Sequence, residues 1–276
     1  MLELPESTTV AQQLNETIRG KTIRRVIANH SAHKFAFYYG DPSGYDDLLR
    51  GRTVGDSTGI GAMVEIAAGN RRVVVGDGAA LRFLGDAGKV PEKHQLLLEF
   101  EDGSALVCSV QMYGFLLVFA EGDYDDKYYR SAWAKPQPLT AAFDRSYFEG
   151  LRTEQTVRLS AKAFLATEQR IPGLGNGVLQ DILFHARIHP RRRVETLSES
   201  EYDGLFHALR ATLADMTAMG GRDTEKDLFG HIGGYQTILS KNTLGTPCPV
   251  CGAPVQKAAY LGGAIYWCPV CQLPGE

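Results

Sequence analysis

Cysteine is scarce, with five in 276 residues, and so small a number excludes a disulfide-stapled secreted scaffold. No apolar run reaches the roughly 18 residues that a membrane-spanning helix needs, so no membrane segment is expected. The opening Met1-Leu2-Glu3-Leu4-Pro5-Glu6 has no basic stretch followed by an apolar one, which argues against a secretory leader. An excess of positive charge is also missing. Lys and Arg number 29 against 32 Asp and Glu, and the net charge of −3 argues against an obligate nucleic-acid binder with a basic surface throughout. Low-complexity tracts and long internal repeats are absent. What is present, 44% hydrophobic and 22% charged residues, suits a soluble globular protein of the cytoplasm.

The cysteines are few but ordered. Four of the five form Cys248-Pro-Val-Cys251, then sixteen residues, then Cys268-Pro-Val-Cys271. Two residues between paired cysteines let both thiolates face one ion, and the intervening segment returns the chain for the second pair. This spacing predicts a structural Zn²⁺ site in a ribbon hairpin, with free or redox thiols as the alternative. Such a metal stabilises a hairpin too short to bury a core of its own.

Charge is uneven along the chain. Residues 1–150 carry 16 basic and 20 acidic side chains, and residues 151–276 carry 13 and 12. The pattern of apolar residues changes as well. Thr8–Ile18 reads as a helix that Ser7, Thr8 or Thr9 could cap. Short β-like runs follow at 22–28, 34–39, 62–67, 71–75, 95–101, 105–109 and 115–119, separated by turn signals such as Gly69-Asn70 and Asp102-Gly103. That spacing suggests a sandwich or barrel. After the stiff Ala134-Lys135-Pro136-Gln137-Pro138, helical periodicity takes over at 141–151, 160–167, 174–185, 198–219 and 224–229. The expected fold is α+β: an N-terminal β-sandwich with a leading helix over 1–135, a helical segment over 136–235, and a zinc-ribbon hairpin over 236–276.

In this order, Glu3-Leu4-Pro5-Glu6, Pro91-Glu92-Lys93-His94, the stretch from Ile171-Pro172-Gly173-Leu174-Gly175-Asn176-Gly177 to Ile188-His189-Pro190, and the four-cysteine ribbon resemble the formamidopyrimidine-DNA glycosylase / endonuclease VIII family of base-excision repair enzymes. The resemblance implies a helix–two-turns–helix motif around the glycine-rich turn, double-stranded DNA, damaged or distorted, as partner, and a monomer. It implies that Glu3 is the acid–base carboxylate and Glu6 a buried carboxylate supporting the first helix. Lys162 falls at the family's phosphate-contacting lysine. Gly175 and Asn176 belong to the turn, whose open backbone and following helix N-terminus suit a phosphate. Arg222, Lys226 and Lys241 are further candidates for phosphate contact, with surface solubility as the alternative.

Four family features are changed. Active members attack with the amine of a proline directly after the initiator methionine. Here that place holds Leu2, and Met1, whose removal needs a small neighbour, is expected to stay. A β-turn lysine is replaced by Ile60. The hairpin arginine is replaced by Gly263. The residues that fill the gap left by an extruded base are replaced by Asp77 and by Gln111-Met112-Tyr113, of which Met112 and Tyr113 still offer wedges. Three readings follow: a DNA-binding relative with altered or lost glycosylase and AP lyase chemistry, working on nucleoid DNA; an active glycosylase that uses Glu3 to activate water; and a scaffold with structural zinc that does not bind DNA.

Overall fold

The structure, a computed structural model, describes residues 1–274; the last two residues of the expected ribbon segment, 275 and 276, lie outside the described residues. Helix α1 (Leu4–Thr17) begins earlier than the periodicity suggested. Glu3 is its N-cap, and Pro5 sits in the first turn, where a missing N–H costs nothing. Glu6 Oε2 accepts the Glu3 N–H at 3.2 Å. Ser7, Thr8 and Thr9 do not cap. Their hydroxyls donate back to the carbonyls of Leu4 and Pro5 inside the first turns.

Seven strands follow: β1 (Ile23–Ala28), β2 (Ala36–Tyr38), β3 (Val54–Ile60), β4 (Met63–Ala68), β5 (Arg71–Leu84), β6 (Leu96–Phe100) and β7 (Ala105–Ala120), with the short helix α2 (Tyr45–Leu49) between β2 and β3. They pair as one sheet in the order β1-β6-β7-β5-β4-β3, and β2 adds to β7 in parallel. The sandwich is this one sheet folded over. Strand β5 shifts register at Asp77/Ala79, opposite Gly114 of β7, and a bulge there bends both long strands. Val73 and Val75 before the bend, and Ala79 and Leu81 after it, therefore share one core with Leu14, Ile66, Leu98 and Phe100. The runs expected at 105–109 and 115–119 are the two arms of β7.

Strand β3 was not legible, because Val-Gly-Asp-Ser-Thr-Gly-Ile has weak β propensity. Tertiary contacts hold it: Asn15 of α1 donates to Ser57 O and accepts from Ser57 N, at 2.8 and 2.7 Å.

Beyond α3 (Lys127–Ala134) come α4 (Arg145–Gly150), α5 (Ala161–Ala166), α6 (Val178–His185) and α7 (Glu199–Ala218). They pack around Phe148, Phe164, Ile182, Tyr202, Leu205 and Phe206. Helix α7 starts as its sequence suggests, with Ser198 Oγ and the Glu201 carboxylate capping each other's N–H groups. Residues 174–177, expected as the first turn of α6, form the glycine-rich turn instead. The helix expected over 224–229 is absent. There isolated bridges pair Arg222 with Tyr235 and Lys226 with Ile232, while the Asp227 carboxylate accepts from Phe229 N and His231 N at 3.0 and 2.7 Å. That side chain competes with a helical ladder for backbone donors. The chain closes with the hairpin β8 (Gln256–Tyr260) and β9 (Gly263–Trp267). Among the described residues no helix is long and apolar enough to cross a membrane.

Candidate functional site

The N-terminal segment, the glycine-rich turn, the 222–241 loop and the cysteine hairpin meet around a cleft of about 270 Å³. Met1, Glu3, Asn176, Arg222, Lys241 and Tyr266 are among its walls. Glu3 is buried at its base. Its Oε1 accepts from Gly177 N at 2.8 Å and its Oε2 from Val178 N at 2.7 Å. The carboxylate therefore occupies the N-terminus of α6, where the dipole and free N–H groups favour an anion. This corrects the expectation that those donors face a phosphate.

The glycines fit the same geometry. A Cβ on Gly175 would lie 2.5 Å from Glu3 Oε1, and one on Gly177 would lie 1.5 Å from Arg222 Nη1. The room these residues leave is filled by the protein's own carboxylate and guanidinium.

Arg222 is 2% exposed, which overturns both of its sequence readings, as phosphate contact and as solubilising surface charge. Its Nη1 lies 3.3 Å from Glu3 Oε2, and its Nε and Nη2 donate to Glu6 at 2.9 and 2.8 Å. Burial alone would lower the Arg222 pKa, but the charges of Glu3 and Glu6 outweigh it and raise it. Burial, opposed by Arg222 and reinforced by Glu6, raises the Glu3 pKa. Glu6 also accepts the Arg222 backbone N–H at 3.1 Å, so it ties α1 to the loop. Lys226 and Lys241 are exposed, and Lys241 faces the cleft.

The hairpin is held to the helices by three side chains. Lys162, 4% exposed, donates from Nζ to Tyr260 O at 2.7 Å. Asn176 Nδ2 donates to Ala264 O at 2.9 Å. Gln180, which the sequence did not single out, accepts from Tyr266 N at 3.0 Å and donates to Asn176 O at 2.9 Å. Asp181, also missed, accepts from Ile238 N and Leu239 N at 2.9 and 2.8 Å and pins the loop that leads to the hairpin. A glutamine and an aspartate inside an apolar helix carry no sequence signal of such roles.

The sulfurs of Cys248, Cys251, Cys268 and Cys271 all lie within 4.8 Å of one another, with 3.8 Å between Cys248 and Cys271 and 3.3 Å between Cys251 and Cys268. A tetrahedral ion bonded to thiolates at about 2.3 Å sets its sulfurs at about 3.8 Å, so this donor set fits a metal ion.

On the other wall, the Leu2 amide donates to Asp77 O at 2.8 Å. Met1 extends beyond it, with its terminal ammonium paired to Glu225. Ile60 is buried with Met63, Val74 and Leu117, away from solvent. Met112 and Tyr113 project from the bend of β7, 64% and 40% exposed. Partial burial, then the charges of Asp77 and Glu3, raise the Tyr113 pKa.

Residues 135–227 match the family described as the formamidopyrimidine-DNA glycosylase H2TH domain. The formamidopyrimidine-DNA glycosylase of Bacillus cereus is 28% identical over 278 residues, covering 99% of both chains. The crystal structure of the MutM (Fpg) protein of Thermus thermophilus superposes with a TM-score of 0.81 at 28% identity, over 99% of this chain and 100% of that one. The Lactococcus lactis Fpg, in complex with DNA containing an abasic site, shares the fold with a TM-score of 0.82 at 23% identity, over 98% of this chain and 99% of that one.

Residues 135–227 thus carry the H2TH domain of the formamidopyrimidine-DNA glycosylase family, and the chain is similar to members of that family along its whole length. Within this family the position-2 nitrogen is the attacking amine of active members. Here that nitrogen is a peptide amide with Met1 before it and Asp77 O as its acceptor. Gly263, at the place of the hairpin arginine, stands beside Asn176 and Lys162: an added Cβ would lie 3.5 Å from Asn176 Oδ1 and Lys162 Nζ, ordinary contact distances.

Proposed function

We propose that the chain is a DNA-binding protein of base-excision repair type that recognises damaged duplex DNA, with altered or lost DNA glycosylase and AP lyase activity. The observation that carries this reading is the nitrogen at Leu2. An amide lone pair is delocalised into its carbonyl, and this one also donates its hydrogen to Asp77 O at 2.8 Å, so it cannot form the Schiff base on which the lyase route depends. The Met1 amine offers no easy replacement. It lies one residue beyond the family's reacting position and is held in an ion pair with Glu225.

Relatives named as DNA glycosylases and a neighbour bound to abasic-site DNA support the partner. Met112 and Tyr113 are exposed at a strand bend and serve as wedges into the base stack. Asn176, exposed at the glycine-rich turn, and Lys162 act by holding the hairpin carbonyls of Ala264 and Tyr260 in place, and Gly175 acts by leaving room for Glu3. Zn²⁺ at the four cysteines is structural and keeps the hairpin folded. The protein works as a monomer on nucleoid DNA in the cytoplasm.

One observation favours a second reading, a glycosylase without lyase activity. Glu3 lines the cleft, burial raises its pKa, and Glu6 and Arg222 hold it in place, the setting of a carboxylate that could activate water.

Mobility shift at low salt with duplexes carrying an abasic analogue tests the DNA-bound readings. Binding tighter than to intact duplex supports them, and no binding indicates the scaffold reading. Base release without strand cleavage, abolished by Glu3→Gln, would establish the second reading in place of lost chemistry.

A further inference from the structure

The folded sheet, helix α3 and the segment before α3 line a half-open pocket of about 290 Å³ that shares no wall residue with the Glu3 cleft. The volume is close to the roughly 300 Å³ at which small-ligand pockets begin. Its walls are aromatic: Phe37, Tyr39, Phe115, Tyr124, Tyr128 and Tyr129. The rings stand edge-on to their neighbours and do not stack into one slab. Tyr39 and Tyr124 meet at 78°, Phe115 and Tyr128 at 76°, and Tyr124 and Tyr129 at 64°. Near-perpendicular rings build the corners of a box.

Tyr38, Met63 and Leu117 and two carboxylates, Asp77 and Asp126, complete the lining, and no lysine or arginine belongs to it. Asp126 is engaged at the start of α3, where it accepts from Tyr128 N and Tyr129 N at 2.8 and 3.2 Å. Asp77 is different. It sits on the β5 bulge at φ 57°, a left-handed conformation uncommon outside glycine, asparagine and aspartate. Its backbone is held on both sides, by Leu2 N on its carbonyl and by its own N–H on Ala62 O. Among the described residues, its side chain has one hydrogen bond, a 3.3 Å contact from the Tyr128 hydroxyl, and no cationic partner.

A half-buried carboxylate in an aromatic box, without a cation of its own, is complementary to one class of ligand. Aromatic faces are negative and attract a cation with little hydration, such as a quaternary or methylated nitrogen, while the carboxylate supplies the counter-charge. A compact, strongly hydrated ion would gain less from rings. A phosphate would meet the carboxylates of Asp77 and Asp126. We propose that the aromatic pocket beside Asp77 is a binding site for an N-methylated organic cation. Two sources share this chemistry: a methylated nucleobase and a quaternary ammonium compound.

The test is calorimetric titration of the full chain with two matched pairs of probes. One pair is 1-methyladenosine, a cation at neutral pH, and neutral adenosine. The other is choline and its neutral isostere 3,3-dimethylbutanol. The expected result is at least tenfold tighter binding of a cation than of its neutral partner. Preference within the adenosine pair assigns the methylated nucleobase, and preference within the choline pair assigns the ammonium compound. Asp77→Asn, which keeps the size and tolerates positive φ, is expected to abolish the preference. Equal binding of cation and neutral partner by the wild type overturns the proposal, as does a cation preference that survives in a folded Asp77→Asn protein. If that variant does not fold, the wild-type ratio decides alone. DNA binding and base release play no part in this titration, so its outcome is independent of the proposed function.

Discussion

The cysteine hairpin and the N-terminal strip face one another across the same cleft, yet they differ in what they retain. On the hairpin side the frame consists of four convergent thiols, Gln180 on the β9 backbone, Lys162 on Tyr260 O, and Asn176 on Ala264 O. On the N-terminal side the frame is equally tight, with Glu3 on α6 and Glu6 on Arg222, but the positions that would react or carry charge in the family hold Leu2 and Ile60. Even the hairpin has lost its charged tip, because Gly263 stands where the resemblance places an arginine. The residues that shape the cleft are thus separable from those that would act in it, and each set can be perturbed alone.

The largest effect is expected from breaking the hairpin. Cys268→Ser removes a buried thiolate from a two-stranded unit too short to be stable alone. Metal-driven folding of such units is worth roughly 10–16 kcal/mol. DNA binding should be lost while the β-sandwich stays folded, as seen by thiol accessibility together with mobility shift. Binding that survived with the three remaining thiols accessible would mean that the hairpin does not frame the interface.

Next comes Arg222→Met, which strands two buried carboxylates. Removal of one partner from a buried ion pair costs about 3–5 kcal/mol. Urea unfolding should show a loss of that size, with Glu6→Gln recovering part of it in the double variant. A neutral outcome would contradict the ion triad.

The sequence revealed the hairpin and the glycine-rich turn because spacing and glycine carry their own physical meaning. It misread Arg222 as a phosphate contact or a surface charge, since a lone arginine after Gly220-Gly221 reads as exposed until Glu3 and Glu6 are brought to it from more than 200 residues away. Strand β3 was hidden for a similar reason. Its glycines and polar residues disfavour a strand locally, and α1 supplies what propensity does not, through Asn15. The false helix at 224–229 was an error of the opposite kind, in which apolar spacing was read where the Asp227 side chain takes the backbone donors.

Asp181 gives a pH-dependent handle on the loop that joins the two sides. Burial, only partly offset by hydrogen bonds from Ile238 N and Leu239 N, raises its pKa to about 6 from the ordinary 3.8. The folded protein therefore holds this proton more tightly than the unfolded chain does. Its contribution to stability is greatest below 3.8 and declines as pH rises to about 6, by about 3 kcal/mol for a two-unit shift. Asp181→Asn should be less stable overall, and the difference between wild type and variant across pH 3.5–6.5 should carry this slope. A flat difference would contradict it.

The smallest effect sharpens the comparison by restoring a charge. Gly263→Arg meets only ordinary contacts at Asn176 and Lys162. One added charged hydrogen bond to phosphate is worth about 1.5–3 kcal/mol, so affinity for an abasic duplex should rise roughly tenfold or more, with the salt slope steeper by about one. An unchanged salt slope would show that position 263 does not face the DNA backbone.

The central claim, that the frame persists while the nucleophile is absent, is tested most directly by borohydride trapping on a duplex that the protein demonstrably binds. With an abasic-site duplex and saturating protein, no covalent adduct is expected. A trapped species, mapped by mass to the Met1 amine or to any other residue, would show that the amine chemistry survives by a different route and would contradict the account.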